Sequence, residues 1–187
     1  GAGITESIYG GGLTQFGRSL ALSGDTLVIG APLAQVLGHE TYGQGYARIY
    51  YRTEVDSWSL AREVTASDGG FQEYFGSKVA ISGDTACIAQ RGGYSPGAYF
   101  FYKDHEGLDN WGEVRKLKRA DLGVSTNGDF ARGIAISGDL AVIGVPGDIP
   151  GDEGSSGAIY ILSRNNGGTD NWGLVKKIVS DEGIYSF

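Results

Sequence analysis

An all-β fold, built from one small unit used three times, is what this sequence predicts, and three observations predict it. First, LSGDTLVIGAP at Leu22 to Pro32 returns as ISGDTACIAQ from Ile81 and as ISGDLAVIGVP from Ile136. The serines of these copies, Ser23, Ser82 and Ser137, stand 59 and 55 residues apart, a period that marks a repeat architecture. Second, glycine supplies 33 of 187 residues, against a usual share of about 7%. These glycines keep no three-residue period and sit between apolar runs, as turn glycines do. Third, the runs between them are short and rich in β-branched and aromatic residues.

Each unit reads as four strands. FGRSLALS, Phe16 to Ser23, alternates and leads into the two-residue turn Gly24-Asp25. Glycine at the first central position of such a turn supplies the positive φ of a type II′ hairpin. The aspartates Asp25, Asp84 and Asp139 are therefore turn residues first. TLVIGAP follows as a nearly continuous apolar second strand. The third strands are YARIYYR from Tyr46, GAYFFYK from Gly97 and GAIYILS from Gly157. The fourth are WSLAREV from Trp58, WGEVRKL from Trp111 and WGLVKKI from Trp172, where mixed charge suits an outer edge. DNW at Asp109 and Asp170 fits an Asx-type turn entering the last strand. The three tryptophans stand at equivalent places, which points to packing between units, because each ring buries about 150–250 Å².

Four short antiparallel strands per unit at this period is the blade pattern of a β-propeller. A sandwich of twelve strands would not explain the recurrence of the same words in the same order. The net charge of −7 argues against nucleic acid, whose phosphates call for Lys and Arg on one face. No run of 18 apolar residues predicts a transmembrane helix. The lone Cys87 excludes an intrachain disulfide and reads as a small buried hydrophobe.

With FG at Phe16-Gly17 and GAP at Gly30 to Pro32, the first unit resembles the FG-GAP repeat, the blade of integrin α-subunit heads and some lectins. The second keeps FG at Phe75-Gly76 but has AQR, Ala89 to Arg91, in place of GAP. The third has FA at Phe130-Ala131 and GVP at Gly144 to Pro146. The units close on Ser67-Asp68, Ala120-Asp121 and Ser180-Asp181, as in the bacterial-type version of the repeat. The expected division is a tail of a preceding repeat over 1–15, then blades over 16–74, 75–129 and 130–187. Closed rings need about 4 to 8 blades. The three units thus imply either part of a larger propeller or a ring completed by copies. The resemblance favours the first, and implies an extracellular or cell-surface location.

Integrin-type units hold calcium in an Asp-rich loop between their first two strands. Here that interval is only SGD, one carboxylate where a calcium ion wants 6 to 8 oxygens. No metal or cofactor is expected. Asp148, Asp152 and Glu153 in PGDIPGDEGSSG read as a solvated turn region. No G-x-S-x-G elbow, H-E-x-x-H or phosphate-binding loop is present, and the two histidines fall at non-equivalent loop positions, so a non-enzyme is expected. Binding is the remaining class. The segments Leu33 to Gly45, Arg91 to Pro96 and Gly147 to Ser156, with the interblade loops around Asp68 and Asp121, are expected on one face and vary while the strands repeat. Their side chains best suited to directed contacts are His39, Glu40, Tyr42, Arg91, Tyr94 and Asp148. The expected partner is a protein or neighbouring copies of the chain. The alternatives are a glycan, as in a lectin-type propeller, or an enzyme domain to which the propeller is appended.

Overall fold

The computed structural model of the chain describes residues 13–36, 42–93, 96–124, 130–146, 148 and 157–179. Its strands form three four-stranded antiparallel sheets in simple sequential order. The first holds β1 (Ser19–Ser23), β2 (Thr26–Ala31), β3 (Tyr46–Glu54) and β4 (Ser57–Val64). The second holds β5 (Phe75–Ser82), β6 (Thr85–Gln90), β7 (Gly97–Tyr102) and β8 (Gly112–Lys118), followed by a 3-10 turn over Arg119–Leu122. The third holds β9 (Gly133–Ser137), β10 (Leu140–Val145), β11 (Ala158–Ser163) and β12 (Gly173–Val179). Each sheet is one blade. The turn glycines Gly24, Gly83 and Gly138 lie at φ +56°, +54° and +54°, as the hairpin reading requires. All three blades carry a bulge at one equivalent place, after Ile49, Phe100 and Ile161, which bends the outer pair.

The first strands of blades 1 and 3 begin later than the alternating pattern suggests, at Ser19 and Gly133 rather than Phe16 and Phe130. The cause is positive φ at Gly17 (+87°) and Ala131 (+55°), which turns the FG segment out of the ladder. In blade 2 the same turn at Gly76 interrupts the pairing between Phe75 and Lys78.

Two apolar seams hold the blades face to face. Val28, Ala47, Ile49 and Val64 of blade 1 meet Val79, Ile81, Ile88, Tyr99, Phe101 and Trp111 of blade 2. On its other side, Cys87, Ala89, Phe100 and Leu117 of blade 2 meet Ile143, Tyr160, Leu162 and Trp172 of blade 3. Blade 2 is therefore covered on both faces, and all six residues of β6 are buried. The motif glycines explain how close the sheets come. A Cβ on Gly30, the glycine of GAP, would lie 2.0 Å from the Gly76 carbonyl oxygen, and one on Gly76 would lie 2.4 Å from that of Tyr46. FG of one blade and GAP of the blade before it are thus two halves of one backbone-to-backbone contact.

Polar bonds recur along the seams at equivalent positions. Ser23 Oγ accepts the Gly83 N–H, and Ser82 Oγ accepts the Gly138 N–H, both at 3.0 Å. The Trp111 indole donates to Tyr51 Oη at 2.7 Å and the Trp172 indole to Tyr102 Oη at 3.0 Å. Arg62 reaches Asn110, and Arg115 the Asn171 carbonyl. The expectation that the tryptophans pack between blades holds for Trp111 and Trp172. It fails for Trp58, which is exposed because its blade has no described neighbour on that side.

Candidate functional site

Between blades 1 and 2, the described parts of the connections from second to third strand lie together with the interblade linker. The N–H groups of Gln72, Tyr74 and Phe75 donate to the carbonyls of Tyr42, Gly43 and Gln44. Gly92 N–H, after β6, donates to the Glu73 carbonyl at 2.8 Å. Of the residues expected to bind here, His39, Glu40 and Tyr94 lie outside the described residues, as do Asp152 and Glu153. Tyr42 is exposed beside the linker that joins blades 1 and 2. Arg91 directly follows β6 and lines a cavity described below.

Asp148 corrects the reading of its loop as solvated: it is 1% exposed. Its carboxylate accepts the Tyr160 hydroxyl and pairs with Lys177 at 2.6 Å. Burial, then the bond to Asp148, raises the Tyr160 hydroxyl above its ordinary range, and the same carboxylate raises Lys177. Blade 2 reaches the same arrangement from a different segment. Asp68, in the linker from blade 1, accepts the Tyr99 hydroxyl at 2.6 Å and pairs with Lys116 and Lys118 at 3.1 and 3.0 Å. Burial alone would raise its pKa, but the bonds from Tyr99, Lys118 and Lys116 outweigh that and hold the carboxyl at about 2. Tyr99 pairs across the sheet with Lys116, and Tyr160 with Lys177, so the two clasps occupy one register position. A loop carboxylate pins the outer strands in each. Sequence reading placed Asp68 in a loop without this role, because tyrosine and lysine two strands away meet it only after folding.

Two of the SGD aspartates are engaged by cations at the far end of the blades. Asp25 pairs with Arg52, and Asp139 with Arg164 at 3.0 Å. The Asp25, Asp84 and Asp139 carbonyls accept the N–H groups of Arg52, Lys103 and Arg164. Cys87 is fully buried, and desolvation pushes its thiol up to about 12, so it is a packing residue.

A cavity of about 420 Å³ opens where the three first strands begin. Gln15 just before blade 1, Arg18, Pro32, Leu33 and Tyr74 of blade 1, Ser77, Lys78 and Arg91 of blade 2, and Arg132 of blade 3 line it. Its size falls within the usual range of ligand pockets, about 300–1,000 Å³.

The chain matches the FG-GAP repeat family over residues 10–47, 58–101 and 111–162, and it belongs to that family. The second and third matched segments each begin at the fourth strand of one blade and run into the next. The sequence repeat is thus offset from the structural blade by one strand. Comparison with curated proteins gives no match. The all-β, propeller-type architecture follows from both the family and the sheets. No helix among the described residues is long and apolar enough to cross a membrane.

Proposed function

We propose that this chain is a non-catalytic interaction module, extracellular or at a cell surface, that binds neighbouring copies of itself through its blade faces and a protein partner through its loops. One observation carries the reading: both end faces repeat the chemistry of the faces buried between blades. Leu20 and Leu22 stand where blade 2 has Val79 and Ile81 and blade 3 has Ile134 and Ile136. Those four pack into the seams, whereas Leu20 and Leu22 are 62% and 63% exposed, and Trp58 and Leu60 are exposed on β4, at the other edge of the same sheet. At the opposite end Ile159 and Ile178, equivalent to the seam residues Ala98 and Leu117, are also exposed. Exposed apolar surface on a blade face is a candidate interaction site.

The two ends are complementary rather than alike. A Cβ on Gly17 would meet nothing within 4 Å, and one on Gly144 nothing nearer than 3.6 Å. An FG half-contact is open at one end and a GAP half-contact at the other. A second copy docking head to tail would close them. That seam would lack one bond of the internal ones, since Ser163 replaces Tyr51 and Tyr102 as the acceptor for a tryptophan. The family's usual setting supports the location outside the cell.

Light scattering on a sizing column tests the reading. The expected mass is a multiple of 19.7 kDa, falling to that of a single chain in the Leu20→Glu, Leu22→Glu double variant. A wild-type chain that stays single at every concentration would overturn the self-association, and a loop-binding partner captured by such a single chain would leave only the second half standing.

A further inference from the structure

We infer that the head-to-tail docking of two copies is held in register by a charged contact, Lys176 of blade 3 in one copy against Glu54 and Asp56 at the β3–β4 turn of the other. This inference rests on the self-association proposed above and specifies its contact. The internal seams supply the pattern. Arg62 on β4 crosses to the β7–β8 turn of blade 2, where its guanidinium meets Glu106 at 2.9 Å and donates to Asn110 Oδ1 at 2.6 Å. Between blades 2 and 3, Arg115 on β8 donates to the Asn171 carbonyl in the β11–β12 turn at 3.0 Å. Arg62, Arg115 and Lys176 hold one register position, opposite Ile49, Phe100 and Ile161 and beside the shared bulge. A cation on the last strand of one blade thus reaches the turn between third and fourth strands of the next. At the open face of blade 3 that cation is Lys176.

The groups that would complete this pattern are exposed and unpaired. Among the described residues, Lys176, Glu54 and Asp56 form no ion pair. The blade 1 turn passes through Val55 and Asp56 alone, against the longer connections 103–111 and 164–172 of blades 2 and 3, so its two acids stand directly at the strand ends. A second open pair agrees. Ser137, equivalent to Ser23 and Ser82, is exposed at the end of β9, and Gly24, equivalent to Gly83 and Gly138, sits in the first turn of blade 1. Head-to-tail stacking offers the Gly24 N–H to Ser137 Oγ, as both internal seams do with their own glycines and serines. Copies of a chain with net charge −7 repel one another at long range. Opposite charges at matching points therefore select this arrangement over the docking of two like ends, which brings Lys176 no acid from the blade 1 turn.

Sedimentation velocity over a concentration series tests the contact on four samples: wild type, Lys176→Glu, the Glu54→Lys, Asp56→Lys double variant, and an equimolar mixture of the two variants. Each variant alone sets like charges against each other and is expected to weaken association about fivefold. In the mixture the acidic tail of one variant meets the basic turn of the other, while the unaltered ends form the original contact, so association is expected to return toward that of wild type. Circular dichroism and thermal midpoints serve as controls for folding, and all three positions are exposed. A wild-type chain that stays single overturns the self-association and this contact with it. Wild-type association that either variant leaves unchanged, or that mixing the variants does not recover, overturns the contact alone.

Discussion

Replacing Gly76 by alanine and comparing it with the same change at Gly17 isolates the contact that the FG and GAP glycines make. Both residues lie at nearly the same positive φ, +84° and +87°, so each substitution carries a backbone cost of roughly 1–2 kcal/mol. Their surroundings differ. At Gly17 the new methyl meets nothing, while at Gly76 it would sit 2.4 Å from the Tyr46 oxygen, 3.1 Å from the Ala31 nitrogen and 3.2 Å from the Gly30 Cα. An ordinary contact needs close to an ångström more than 2.4 Å, and the obstacle is backbone of the preceding blade, which moves only if the seam opens. Overpacking of that kind adds about 1–3 kcal/mol. Gly76→Ala is expected to cost about 2–5 kcal/mol in total and Gly17→Ala about 1–2 kcal/mol. Urea unfolding at a dilution that keeps single chains gives the difference from the midpoints and slopes. Equal losses at the two sites would refute the claim that FG meets GAP across the seam. If copies associate as proposed, Gly17→Ala should also weaken the assembly at higher concentration.

Two further outcomes follow from titratable groups that the fold perturbs. The Asp68 clasp should show in the acid limb of stability: with a carboxyl near 3.8 unfolded and about 2 folded, its contribution is complete above 3.8 and is lost as pH falls toward 2. Asp68→Asn should therefore destabilise by on the order of 1 kcal/mol at neutral pH, for a partly exposed pair, and the difference from wild type should shrink to a small fraction of that as pH falls through about 2. A gap that persists unchanged at pH 2 would show that the clasp does not act through the carboxylate charge. Cys87, with its thiol pushed up to about 12, should resist alkylation at pH 8 in the folded chain and react fully in denaturant. Rapid native labelling would contradict its burial.

The strands were legible because their cause is local. Alternation, glycine at a turn that needs positive φ, and a tryptophan at the head of each last strand recur in order, and the sheets follow them. SGD shows where that legibility stops. Its glycine and its turn could be read directly, but the serine's task, accepting the Gly83 or Gly138 N–H of the next blade, lies 60 or 56 residues away. Asp68 and Asp148 make the same point: two acidic loop residues in unrelated contexts converge on equivalent tyrosines. The cavity was invisible for a similar reason, since Arg18, Lys78, Arg91 and Arg132 come from three blades and meet only where the first strands converge.

By itself, then, the sequence determined the blade: strand order, hairpin turns, the number of units and the family. Those are decided by φ preferences and side-chain alternation over a few residues. Only the tertiary structure decided which faces are covered and which carboxylate pins which tyrosine. Each of those depends on the separation of groups from different blades, and stacking the blades sets that separation.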